Sequence, residues 1–429
     1  MSVYIMLDRV LKHILEVITP LQEDWVIRFQ IVEDLRRAVE SVENLRGSTV
    51  EPFGSFVSNL FTRWGDLDIS IEFPIGAYIS STGKKRKQML LEELQNALRR
   101  KGGWRSLKLI PNARVPILKL KSSHQNISCD ISIDNLQGQM KSKLLFWISR
   151  IDSRFRDMIL LFVQVKEWAK AHDINNSKFG TLNSYSLSLL VVFHFQTCVP
   201  AILPPLRYIY PGNMVDDLRG VRADAEKHIA ETCDANITGF ISEKFRPVNR
   251  SSLSELFISF LAKFANISTM ASELGICPYT GQWEEIKRNM RWLPKTYAIF
   301  IEDPFEQPVN TARGVSAEQL TRISEVFRMT CSRLTSGNPY QSALLAVLVQ
   351  RQVAQYILNT HPGNTSHSGG RYQPARPQVQ RSMDSPSQMQ CQVQKKDAES
   401  SSNTSSVRGL GKANSAQPQQ IWRPKSSNS

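Results

Sequence analysis

Cysteine is scarce in this 429-residue sequence: Cys129, Cys198, Cys233, Cys277, Cys331 and Cys391 each stand at least 30 positions from the next. No Cys-x-x-Cys or Cys/His ligand spacing occurs, which argues against structural zinc and against a disulfide framework. A clean apolar run is also missing. The most apolar stretch, 187–206, is interrupted by His194, Gln196, Pro200, Pro204 and Pro205, and so falls short of the roughly 20 apolar residues that span a bilayer. No transmembrane helix and no membrane partner are expected. The first residues have apolar side chains at 7, 10, 11, 14, 15 and 18 with Asp8 and Glu16 between them, an amphipathic helix without the unbroken apolar run of a signal peptide. A cytoplasmic and nuclear location is therefore expected. Acidic residues are in deficit, 39 against 53 Lys and Arg, and the net charge of +14 favours anionic partners, nucleic acid first.

What is present divides the chain into segments of different period. Residues 1–45 read as two helices, with Trp25, Phe29, Val32, Leu35 and Val39 continuing the helical spacing. From 46 to 142 come short β-type runs at 67–73, 106–110, 113–120 and 127–133, with one helical segment around 88–100. From 143 to 358 nearly every segment has helical period, as in Met158, Leu161, Phe162, Val165 and Trp168. The fold class is α+β: a small mixed-sheet domain, then a mainly helical central domain on which the first two helices are expected to pack. Residues 359–429 are rich in Ser and Gln. From His361 on, nine Lys and Arg face three Asp and Glu, a composition that cannot bury enough surface to offset its ordering entropy. That tail is expected to be disordered.

One constellation in the sheet-like region carries chemistry. Gly54 and Ser55 precede Asp66 and Asp68 by about ten residues, and Asp68 lies in the apolar run LDISIEF. Residues two apart on a strand face the same side, so Asp66 and Asp68 project together while Leu67 and Ile69 face the core. Asp130, in ISCDISI, sits on the polar side of another strand. If the two strands pair, three carboxylates meet within roughly 5–7 Å. Such oxygen donors suit two Mg²⁺ or Mn²⁺ ions that clamp an in-line phosphoryl displacement. Gly54 would let a triphosphate approach the backbone, and Ser55 would offer it a hydroxyl and an N–H.

An apolar residue, Gly-Ser, ten residues and then Asp-apolar-Asp-apolar resembles the signature of the polymerase-β-like nucleotidyltransferases. VQVKEWAKAHDIN from Val163, GTLNSYSLSLL from Gly180 and IEDPFEQPVNTAR from Ile301 narrow the resemblance to template-independent RNA terminal nucleotidyltransferases. It runs from about residue 10 to 335. SSLSELFISFLAKF from Ser251 and IWRP at 421–424 are similar to the plant terminal uridylyltransferases that tail unmethylated small RNAs.

The resemblance implies a polymerase-β-like catalytic domain, a poly(A)-polymerase-like central domain with its associated segment at about 251–313, and transfer of uridylates from UTP to an RNA 3′ end. It implies that Asp66, Asp68 and Asp130 are catalytic and metal-binding, with Asp130 beside the primer 3′-OH. It points Lys166 and Lys170, four apart on one helix face, at the triphosphate. Asn183 or Ser184 can cap the following helix; the resemblance gives Ser184 a phosphate contact and Tyr185 the base stack. Lys141 and Ser142 fall where relatives place an Asn-Thr pair against sugar and base. Asp303 and Glu306 resemble the base-recognition loop, closed by Arg313. Val309, before Asn310, stands where related uridylyltransferases often have a histidine that contacts uracil. An Argonaute-type small-RNA effector is the implied protein partner. AMP transfer by a noncanonical poly(A) polymerase, and a catalytically silent RNA-binding adaptor, are the alternatives; three clustered carboxylates weigh against the adaptor.

Among the remaining segments, Lys84–Lys87 suits a nuclear-localisation signal, an RNA contact or a solvated loop. Arg99, Arg100, Lys101, Trp104 and Arg105 suit a single-stranded RNA path. His124 and His194 are expected to be structural.

Overall fold

Thr19 and Pro20 end the first helix, because proline has no N–H to continue the ladder, and the two helices on either side of them enter different cores. In the computed structural model these are α1 (Val3–Ile18) and α2 (Gln22–Glu40). The structure describes residues 3–73, 79, 82–161, 168–293, 296–336, 340–349 and 351–360, all within one unit, Met1–Thr365. The 359–429 tail falls outside the described residues except for the end of the last helix. Helix α1 turns Leu7, Val10, Leu11, Ile14 and Ile18 into the helical core. Helix α2 turns Ile31, Val32, Leu35 and Val39 into the core under the sheet. The expectation that both pack on the helical domain is corrected for α2.

The sheet contains β1 (Thr49–Phe53), β2 (Leu67–Glu72), β3 (Trp104–Ile110), β4 (Ile117–Ser122) and β5 (Ser128–Ile133), in the order β1-β2-β5-β4-β3. Only the β2–β5 pair is parallel. Helix α3 (Lys84–Lys101) connects β2 to β3, and its first turn contains the Lys84–Lys87 cluster, placed in a helix rather than a loop. Alternation decides the two faces. Leu67, Ile69, Leu118, Leu120, Cys129 and Ile131 are buried against α2 and α3. On the other face, one row across the sheet runs Phe53, Asp68, Asp130, Lys119, Lys108.

Asn135 caps α4 (Leu136–Ser149), its side chain accepting from the Gly138 N–H at 3.2 Å. Leu136, Met140, Leu144 and Ile148 of α4 belong to the helical core. The change of core therefore comes at the start of this helix, and a boundary at 142 would cut through it.

The helical region continues with α5 (Ser153–Ile159), α6 (Trp168–Ala171), α7 (Ser184–Thr197), α8 (Met214–Asp217), α9 (Arg222–Ser242), α10 (Leu253–Phe264) and α11 (Ile267–Met270). Helix α7 is buried on all sides from Ser186 to Gln196. A reciprocal Ser252–Glu255 capping box starts α10, as Ser-x-x-Glu before an apolar run predicts. A hairpin follows, β6 (Leu274–Cys277) and β7 (Gln282–Glu285), with Ile276 opposite Trp283. The helical period does not reveal this hairpin, since strands of four residues are too short to show alternation. Cys277 with Trp292 and Phe300 forms a small third core beside it. Helices α12 (Ala317–Thr335), α13 (Gln341–Leu348) and α14 (Arg351–Thr360) complete the described chain.

Candidate active site

Strand pairing places Asp68 directly beside Asp130 on neighbouring parallel strands, whose axes lie about 4.8 Å apart. Asp66 immediately precedes β2. All three aspartates line one cavity of about 430 Å³, whose other walls come from β1 and the loop after it, α4 and the first turns of α7. Among the described residues no group of three or more His, Cys, Asp and Glu side chains is arranged to hold a metal ion; Asp130 is engaged by the Lys119 ammonium from the adjacent strand. The donor set nevertheless fits a hard divalent cation: three carboxylates, with no sulfur or imidazole on the cavity wall. That a cation already answers Asp130 is consistent with the negative charge gathered there.

The approach to this cluster is tightly built. Gly54 has φ +67, and a Cβ on it would stand 2.1 Å from the Asp68 Oδ2, so only glycine lets the backbone lie against that carboxylate. Its N–H donates to Ser142 Oγ at 2.7 Å, and that hydroxyl donates to the Gly138 carbonyl, also at 2.7 Å. Ser142 lines the cavity and also holds the Gly54 loop in place. Gly54 approaches the cavity with its N–H already used, so Ser55 is left as the member of the pair suited to an outer phosphate. Below Asp66, the fully buried Arg28 of α2 donates to the carbonyls of Asp24 (2.9 Å), Arg63 (3.0 Å) and Gly65 (2.8 Å) and lies over the Phe61 ring at 4.7 Å. Burial lowers its pKa from the ordinary value. Burial, with Asp130 and Asp66 adding to it, pushes the Cys129 thiol up to about 12.

The opposite wall comes from residues distant in sequence. Asn183 caps α7, accepting from the Ser186 N–H at 2.8 Å and donating to the Thr311 carbonyl at 2.9 Å. This leaves Ser184 exposed in the first turn, its hydroxyl paired with Asn175. Tyr185 lines the cavity and donates its hydroxyl to Asp303 Oδ1 at 3.1 Å; burial first, then the Asp303 charge, holds this phenol well above its ordinary pKa. Lys141 also lines the cavity, with its ammonium 5.2 Å from the centroid of the Tyr185 ring, and pairs with Asp303 and, at 3.2 Å, with Glu306 Oε2.

Other expected site residues lie elsewhere. Arg313 is exposed on the turn after the loop and does not line the cavity. The Asn310 side chain is committed to backbone, donating to Ile299 O and accepting from the N–H groups of Ile301 and Ala312, so it shapes the loop instead of meeting a nucleotide. Val309 bonds through its backbone to Glu306 and Asp303. Lys166 and the side chain of Lys170 lie outside the described residues. His124 pairs with Asp34 at 2.7 Å, and buried His194 meets Ser259 at 3.2 Å, both structural. Sequence reasoning missed Lys119 and also Arg114, which reaches Glu306 at 3.5 Å. A signal for Lys119 existed in ILKLKS, where lysines alternate with buried apolar residues on the face that carries Asp130.

With this geometry in view, the likeness to known proteins is specific. Residues 7–150 match the family described as poly(A) RNA polymerase, mitochondrial-like, central palm domain. Protein HESO1 of Arabidopsis thaliana is 56% identical over 381 residues, covering 87% of this chain and 74% of the relative. Terminal uridylyltransferase cid1 of Schizosaccharomyces pombe is 27% identical over 305 residues, covering 67% of this chain and 69% of the relative. A crystal structure of mtPAP in complex with UTP superposes with a TM-score of 0.63 at 22% identity, over 80% of this chain and 72% of that one, which shows the fold. The polymerase-β-like sheet domain with its helical partner, and the identity to HESO1 over most of the chain, establish that the protein belongs to the template-independent RNA terminal nucleotidyltransferases.

Proposed function

We propose that this enzyme transfers uridylates from UTP to the 3′ end of RNA without a template. The observation that carries the reading is the pairing of Asp68 with Asp130 on one cavity wall, opposite Lys141 and Tyr185. One wall is suited to phosphoryl transfer and the other to holding a base. Asp66, Asp68 and Asp130 would hold divalent ions, Mg²⁺ or Mn²⁺, which when bound draw charge from the reacting phosphate. Tyr185 offers its ring to the base, and the open first turn of α7 at Ser184 offers N–H groups to the phosphates. The Asp130 carboxylate receives the proton of the RNA 3′-OH, whose oxygen attacks the α-phosphorus as the bond to pyrophosphate breaks.

Unmethylated small RNAs and cleavage fragments are the proposed substrates, tailed in the cytoplasm and nucleus for decay, with an Argonaute-type protein delivering them. The second reading, AMP transfer, draws on Val309, whose side chain offers no hydrogen bond to uracil. The deciding experiment incubates a labelled RNA oligonucleotide with each of the four NTPs in turn, with Mg²⁺ or Mn²⁺. A ladder with UTP is expected; a ladder with ATP alone overturns the uridylyl reading, and no ladder with any NTP overturns the transfer reading.

A further inference from the structure

Resting on that reading, we infer that Lys119 is a tethered counter-cation that competes with the divalent ion for Asp130, so that an ion joins the carboxylate cluster by displacing the ammonium. Strand order fixes the contest. Asp130 has Asp68 opposite it on β2 and Lys119 opposite it on β4, so the ammonium comes from the side away from Asp68 and is not part of the cavity wall. It pairs with Asp130 Oδ2. On the far side of Lys119 stands Lys108, its register partner on β3, and like charges directly opposite each other repel. The stretch 94–129, which includes the whole β3–β4 hairpin, contains no Asp or Glu. Lys119 is therefore pushed by one neighbour and drawn by the other, with no acidic partner in its own hairpin.

The same contact acts in two directions. Before an ion arrives, the ammonium neutralises Asp130 and relieves the repulsion between it and Asp68 beside it. Once an ion is at that carboxylate, ammonium and divalent cation at contact distance of one oxygen repel each other, and one must give way. Lys119 therefore steadies the cluster at the expense of its affinity for the ion. The two side chains are 39% and 21% exposed, so the pair is reached by water and its strength is that of a partly exposed ion pair, small enough for an ion to overcome.

The test is Mn²⁺ binding to the full chain without RNA or nucleotide, read as loss of the free-ion signal in electron paramagnetic resonance. Lys119→Met keeps the stem and removes the charge; the Kd for Mn²⁺ is expected to fall roughly fivefold, as the loss of a partly exposed ion pair allows. Lys119→Arg keeps a cation and is expected to stay near the wild type. Lys108→Met removes the same charge one strand further out, and is expected to change the Kd by less than about twofold, because exposed charges beyond contact are screened. An unchanged Kd in Lys119→Met overturns the inference. So does an equal fall in Lys108→Met, which would make the effect one of net charge. Thermal unfolding follows the fold, and if Lys119→Met does not fold, Lys119→Gln, polar and uncharged, carries the same expectation. A wild type that binds Mn²⁺ beside a Lys119→Met with the same Kd sinks this inference alone. If neither chain binds Mn²⁺, and Asp68→Ala is indistinguishable from both, the metal reading of the aspartates falls and this inference with it.

Discussion

The two walls of the cavity are built by opposite means. The aspartate wall comes from adjacent strands in one sheet, where backbone pairing fixes Asp68 against Asp130 and the Lys119 ammonium lies in the same row. The opposite wall comes from α4 and the start of α7, joined to the loop at 301–310 by side chains across more than a hundred residues of sequence: Lys141 to Asp303, and Tyr185 to Asp303. Ladder hydrogen bonds are insensitive to side-chain identity, whereas a network of charges depends on every member. On the proposed reading, chemistry is placed on the rigid wall, and substrate choice on the wall that single substitutions can retune.

The largest expected effect is on the rigid wall. Asp68→Ala or Asp130→Ala should lower RNA extension by more than about a hundredfold while leaving thermal unfolding near the wild type, because removing neighbouring carboxylates relieves repulsion. Extension by Asp130→Ala at wild-type rate would remove that wall from the chemistry. Gly54→Ala comes next: its Cβ must displace the Asp68 carboxylate, and a shift of about 1 Å at a reacting group costs on the order of a hundredfold in kcat. If kcat is unaltered, the close approach of that loop has no catalytic meaning.

Arg28→Met tests how the rigid wall is supported. It leaves several buried carbonyls without their donor, and a loss of about 2–3 kcal/mol in urea unfolding is expected. A smaller loss, with activity intact, would make the guanidinium incidental.

On the adaptable wall, Val309→His should shift a UTP and ATP competition toward uridine by roughly tenfold, as one added polar contact allows, with no change in stability. An unchanged mixture would mean that this loop position does not face the base. The smallest effect is expected for a chain ending at Thr360: extension of a short free RNA at the full-length rate, with any loss confined to the choice or retention of RNA. A catalytically dead truncation would make the tail part of the catalytic fold.

How much of this was legible in the sequence follows the same division. Asp68 and Asp130 can be read because strand alternation is local: each sits between apolar neighbours that have to face the core, and Asp66 lies two positions before Asp68. The cap of α7 at Asn183 is local too. The core that α2 joins is not local, since its apolar stripe has the same period whichever core it enters. Nor are the roles of Ser142 and Asn310. Ser142 ties down the backbone of Gly54 while lining the cavity, and Asn310 ties down the backbone of the 299–312 loop. Lys141 was visible as a departure from the family pattern, but its pairing with Glu306 spans 165 positions and appears only once the chain is folded.

Helix α1 packs against α10, α12, α13 and α14, which begin about 250 to 350 residues later, and this governs the order of events on the ribosome. At about 5–20 residues per second, its apolar face waits on the order of tens of seconds for the last of its neighbours to emerge. The sheet and its two covering helices are complete by residue 133 and have no such wait. The catalytic half of the nascent chain can therefore close while the first sixteen-residue helix is still exposed to chaperones. The interval is set by the length of chain between α1 and α14, so an insertion in any surface loop of the central domain would lengthen it without altering a single native contact.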